Sequence, residues 1–244
     1  MRPIVFMLAL LTGADEPKID LHQYLNETRH LVRVAKYDEA LERCLWFHEH
    51  AVEEDPAMVG VRGSFALAVW NDLAKKYSPA RTALVETRDR SIEKLLTGKG
   101  ESIDFLDVRA INDLLNESAK TTELFEQLDQ KQPKLAKSMV NVAKNDLFAA
   151  KRFDLLKKYL YPIDEAFKEV HKQYDDLYQA GSKDWQQGAS IRALAKDEFE
   201  RDCLQLIKLA IESNDLPGAI EVQKNALRVL DRESIRKAVS PRNP

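Results

Sequence analysis

Glycine and proline are scarce, at 8 and 9 of 244 residues, and no glycine falls between Gly100 and Gly181. A sheet protein turns roughly every ten residues and needs such breakers, so their scarcity disfavours a β-sandwich or barrel and points to long helices. Cysteine is scarcer still. Cys44 and Cys203 stand far apart, each on an apolar stripe, which reads as two buried thiols; neither belongs to a paired metal or redox motif. An excess of one charge is also missing: 37 basic and 40 acidic side chains are intermixed, for a formal net charge of -3. No face is thereby marked for nucleic acid or for an anionic membrane. Beyond Leu11 there is no long apolar run, so stable membrane insertion is not expected.

What is present is amphipathic spacing. A composition 44% hydrophobic and 32% charged suits a helical globular chain large enough to bury a core without disulfides or metals. At the amino end, Met1-Arg2, the apolar run Ile4 to Leu11 and the small residues Thr12-Gly13-Ala14 resemble the three segments of a secretory signal peptide over residues 1–14. That reading predicts export, periplasmic or secreted; the other reading, an apolar segment packed on the first helices, leaves the protein in the cytoplasm.

From Asp20, a helix cap, Leu21, Tyr24, Leu25, Thr28, Leu31 and Val32 form one stripe. Tyr37, Ala40, Leu41, Cys44 and Leu45 form the next, and Asp55-Pro56 ends it. Met58 to Leu73 predicts a third helix, in which Gly60 and Gly63 would let a neighbour approach closely. Ser78-Pro79 opens a fourth helix that runs to Thr97 before the stop at Gly98-Lys99-Gly100. Further stripes lie over 103–115, around Leu124 to Leu128, over 134–151, 163–178 and 190–213, and from Ala219 to Leu230. Pro162 interrupts the chain. Residues 180–188 read as the longest loop, and 231–244 as a frayed tail.

Sites for chemistry are hard to find. His48 and His50 lie two apart, so on a helix their rings point about 200° apart and cannot share one ion. No nucleophile elbow or phosphate loop is present, the glycosylation triplets at Asn26 and Asn116 fall in helices, and Trp46, Phe47, Phe65 and Trp70 have core spacing. No cofactor or metal is expected.

The turns share a pattern: Tyr37-x-x-Ala40-Leu41, Tyr77-x-x-Ala80, Phe153-x-x-Leu156 and Leu216-x-x-Ala219-Ile220. With YDEAL before an acid-rich Asp55-Pro56, and NDLPGAIEVQKNAL at 214–227, this resembles the tetratricopeptide repeat family. The resemblance implies an all-α chain whose antiparallel helix pairs stack over 18–230 into a right-handed superhelix, an α-solenoid. It also implies a protein or peptide bound on the concave face. Carried over from each turn, that groove would receive Asn26, Arg29, Arg33, Arg62, Asn141, Asn145 and Lys208, a set suited to an acidic peptide or a terminal carboxylate. The expected function is a non-catalytic binding scaffold. A helical enzyme or small-ligand binder would instead show a deep pocket with converging ionisable groups, and a structural subunit a large apolar patch on an end helix.

Overall fold

A computed structural model describes residues 19–184 and 186–239, all of whose regular structure is helical. The segment read as a signal peptide, 1–14, and the tail residues 240–244 lie outside the described residues. In chain order the helices are α1 (Leu21–Arg33), α2 (Tyr37–Glu54), α3 (Val59–Val61), α4 (Leu67–Ala74), α5 (Ser78–Leu96), α6 (Ser102–Leu114) and α7 (Ala119–Lys131). They continue as α8 (Pro133–Ala149), α9 (Phe153–Leu160), α10 (Ile163–Lys183), α11 (Gly188–Glu212), α12 (Leu216–Val229) and α13 (Glu233–Lys237). Packing divides the chain into two compact units, one ending at Arg90 and one beginning at Ser91, with the division inside α5.

In the amino-terminal unit, the Asp20 carboxylate accepts from the backbone N–H of His22 and Gln23 at 3.0 and 2.9 Å, which satisfies amides that the first turn of α1 leaves open. The α1 stripe then meets α2 in a core of Leu21, Leu25, Phe47, Ala51 and Met58. Arg43 ties the two helices at the rim. Its guanidinium stacks 3.7 Å from the Tyr24 ring centroid and donates to Thr28 Oγ1, to the Tyr24 carbonyl and to Glu27. Two of the turn aromatics singled out in the sequence, Tyr37 and Tyr77, stack on each other at 5.7 Å. Trp70, 1% exposed, donates its indole N–H to the Ala80 carbonyl and so fixes the start of α5 on α4.

The third predicted helix is less regular than its spacing suggested. A 3-10 turn at Pro56–Met58, a single α turn and a π turn at Arg62–Ala66 precede α4. A Cβ at Gly60 or Gly63 would meet open space, and both residues are exposed, so the close helix approach expected there does not occur.

The carboxyl-terminal unit is built from helix pairs adjacent in sequence. Phe105, Phe125, Leu128, Met139, Leu147, Leu156, Phe199, Ile207 and Leu209 belong to one continuous buried core. The expected long loop at 180–188 is instead two helix ends and a short link. A Cβ on Gly188 would sit 2.1 Å from the Gly181 carbonyl oxygen, so these glycines are where α10 and α11 touch backbone to backbone. Asp184 caps the link, accepting from the N–H of Gln186 and Gln187 at 2.8 and 2.7 Å. The described part of the tail, 231–239, is not a frayed end: α13 buries Ile235 completely, and Gln223 donates to the carbonyls of Ile235 and Arg236.

Five helix ends close in the same way. Ala35, Gly98, Asn116, Lys151 and Asn214 all have φ between 56° and 74°. The next residue's N–H reaches back five residues: Lys36 to Leu31, Lys99 to Lys94, Glu117 to Asn112, Arg152 to Leu147 and Asp215 to Ala210. This is the Schellman turn, which uses the left-handed residue to satisfy carbonyls at the helix end. Ala35 and Lys151 carry a Cβ into that conformation without the local bonding that favours Asn. Lys151→Gly is expected to raise stability by about 1 kcal/mol in urea unfolding; no gain would mean that the turn carries no strain.

Candidate functional site

A cleft of about 420 Å³ lies in the carboxyl-terminal unit, lined by α8, the α9–α10 corner, α10 and α11. Its apolar lining includes Val140, Leu160, Pro162, Ala166, Val170 and Leu206. The corner forms because Pro162 lacks a donor and cannot continue α9, so the chain restarts at Ile163. Across the base, Lys144 Nζ of α8 lies 2.6 Å from Asp202 Oδ2 of α11, with the two side chains only 14% and 9% exposed. Arg201 Nε reaches the other carboxylate oxygen at 3.3 Å. Beside this pair, Gln205 Nε2 donates to Asn145 Oδ1 at 2.8 Å, while the buried Gln205 Oε1 receives no donor among the described residues.

Two tyrosines of the cleft, Tyr159 and Tyr161, bond to carboxylates outside its lining, Asp129 and Asp215. The Tyr159 hydroxyl donates to Asp129, and burial together with that bond pushes its pKa up. Burial works to raise the Asp129 carboxyl, but hydrogen bonds from Lys158 and Tyr159 outweigh it and hold the group below the usual range. Burial also pushes the Tyr161 hydroxyl up. On the lips, Lys137 of α8 has no acidic partner and Glu169 of α10 no cationic one among the described residues, whereas Glu165 is paired with Lys168 at 2.6 Å.

A second, smaller depression lies in the amino-terminal unit, about 330 Å³ over Val32 and Val69 between α1 and the end of α4. Arg29, Arg33, Lys75 and Lys76 surround it, with Asp72 as the one acid. Lys75 is paired with Asp72 at 3.0 Å. Arg29, Arg33 and Lys76 have no acidic partner among the described residues.

The residues predicted from the turns divide between these places. Arg29 and Arg33 border the basic depression, and Asn26 is exposed on the same helix. Arg62 is set apart on the π turn, where its guanidinium lies 3.2 Å from His48 Nε2. Asn141 lines the cleft, Asn145 orients Gln205, and Lys208 lines a neighbouring depression with its ammonium 5.6 Å from the Phe153 ring centroid. Sequence reasoning missed Lys144, Asp202 and Gln205. A signal was present: Asp202 interrupts the apolar stripe of Phe199, Cys203 and Leu206, and a carboxylate in such a place needs a partner.

Both cysteines are free and buried, as expected. Burial pushes each thiol up to about 12, from an unfolded value of 9.0. Neither is expected to react with a disulfide reagent at pH 8 until the protein unfolds, and prompt labelling of the native protein would contradict this burial. Because the folded pKa is raised, the stabilisation is complete below pH 9 and is lost as the pH climbs toward 12.

Among the described residues no group of three or more His, Cys, Asp or Glu side chains is placed to hold a metal, and no helix is long and apolar enough to cross a membrane. Compared with family models, with curated proteins and with solved structures, the chain matches none of them.

Proposed function

We propose that this chain is a non-catalytic scaffold that holds an acidic protein segment on the basic depression of its amino-terminal unit. The observation that carries this reading is the trio Arg29, Arg33 and Lys76, cations with no acidic partner among the described residues around an apolar floor. Elsewhere in the unit, Arg43 and Lys36 already hold carboxylates at 2.9 Å. Arg29 and Arg33 are four apart on α1 and share one face, so two guanidinium forks are available to successive carboxylates. The pairing of sequence-adjacent helices, with one turn type repeated, favours a tetratricopeptide-like right-handed array with its ligand on the inner face. The engagement of Lys144 with Asp202 and of Tyr159 with Asp129 removes those four groups as candidate acids and bases.

The test is fluorescence anisotropy with a short labelled peptide of alternating Glu and Gly, beside its Lys/Gly counterpart. The acidic peptide is expected to bind, to weaken as salt is added, and to lose at least about tenfold in affinity with Arg29→Glu/Arg33→Glu. Equal binding of both peptides, or no effect of the double substitution, would remove the basic depression as the site.

A further inference from the structure

A short helix holds itself poorly, and α13 is only five residues long. Its place is fixed by what lies beneath it. α13 packs on both α11 and α12, and Ile235, its one buried side chain, belongs to their common core. Glu233, Arg236 and Lys237 are exposed. Each supporting helix adds a polar hold. On α12, Gln223 Nε2 donates to the carbonyls of Ile235 and Arg236 at 2.8 and 2.9 Å. On α11, Glu200 accepts from the Ser234 hydroxyl and lies 3.5 Å from Arg232 Nε, with Asp197 at the same distance from Arg232 Nη2. The backbone ladder of α12 does not run on into this segment, because Leu230 and Arg232 are extended, with ψ of 109° and 141°. Instead, the N–H groups of Arg236 and Ala238 bond within the segment, to the carbonyls of Arg232 and Ile235.

We propose that residues 231–239 are an exchangeable strap: they release as one unit while α11 and α12 stay folded, and the seam they vacate takes the same segment of a second copy of this chain. The occupant is set by what the seam already holds. A branched apolar side chain fills it, two successive carbonyls meet one amide on α12, and a guanidinium and a hydroxyl two residues apart meet carboxylates on α11. The same segment of another copy supplies all of these at the same spacing. Within one chain the tethered segment competes at high effective concentration, so the closed form prevails while its anchor is intact. Release also reaches a second place. Asp197 and Glu200 line a depression of about 460 Å³ with Phe148 and Leu204, and both carboxylates lose Arg232 when the strap leaves. The inference does not rest on the acidic-segment reading, because the strap and the basic depression belong to different units.

The first measurement is native-state hydrogen exchange on the full chain. The amides of Arg236 and Ala238 are expected to exchange together, at least about tenfold faster than the slowest amides of α11. Ile235→Ala is expected to speed both by a further factor of about ten or more while α11 keeps its rates. The second measurement takes the full-length Ile235→Asp variant, whose seam is vacant, and a labelled peptide of residues 229–239 in fluorescence anisotropy. This peptide is expected to bind the variant at least about tenfold more tightly than the unsubstituted chain, whose own strap competes. A peptide carrying the same Ile235→Asp change is expected to bind neither. Exchange of Arg236 and Ala238 at the rate of α11, or at two unrelated rates, would overturn release as a unit. Equal affinity of the peptide for both proteins, or binding to neither, would overturn exchange in trans. Loss of the helical fold in the Ile235→Asp variant, read by circular dichroism, would also overturn the proposal, since the strap leaves α11 and α12 intact.

Discussion

Phe125→Ala is expected to cost about 4 kcal/mol, the range for removing a fully enclosed aromatic ring. Phe125 is 0% exposed and meets Phe105 and Tyr159 edge to face, at 6.5 and 5.7 Å between centroids. The surrounding rings are held by other contacts, Tyr159 by its bond to Asp129, so they cannot collapse to fill the space. Urea unfolding followed by circular dichroism gives the loss, and faster amide exchange in α6 to α9 localises it. A cost below about 1 kcal/mol would mean that the core around α7 is not close-packed.

Lys144→Met is expected to cost about 3 kcal/mol, because it leaves the Asp202 carboxylate 9% exposed with only the longer bond from Arg201. The partner substitution decides the mechanism. In Lys144→Met/Asp202→Leu no buried charge remains, and most of the lost stability is expected to return. A double variant as unstable as the sum of two damaging singles would instead show that the pair acts through packing. The same variants bear on the cleft, since the pair forms its base between α8 and α11.

How much of this was legible in the sequence depended on the distance over which each feature is decided. Asp20 and Ser78-Pro79 marked helix starts correctly, because such signals act within the first turn. The stripes placed the helices and most of the core, because period and burial are properties of one helix at a time. Gly181 and Gly188 misled, since a glycine pair that permits backbone contact has the same letters as one that makes a loose loop. Gly60 and Gly63 misled in the opposite sense. Of the cleft, Asn141 and Asn145 were reached by counting from a turn, while Lys144 and Gln205 find their partners 58 and 60 residues away, beyond any local pattern. Three of the five matching turns, at Ala35, Lys151 and Asn214, stand two residues before the aligned Tyr37, Phe153 and Leu216, whereas those at Gly98 and Asn116 escaped, because the turns join helices of 8 to 25 residues and the punctuation recurs while the interval does not.

The long reach of the Lys144–Asp202 pair also has a meaning in time. Synthesis proceeds from the amino end, so α8 leaves the ribosome 58 residues ahead of the carboxylate that will neutralise it. Until α11 follows, Val140 and Phe148 have no partner surface from that helix, and the nascent unit carries an open apolar flank beside an unmatched cation. The step that completes the cleft is therefore also the step that covers the flank of α8, and the apolar face of α11 in turn waits for α12 and α13.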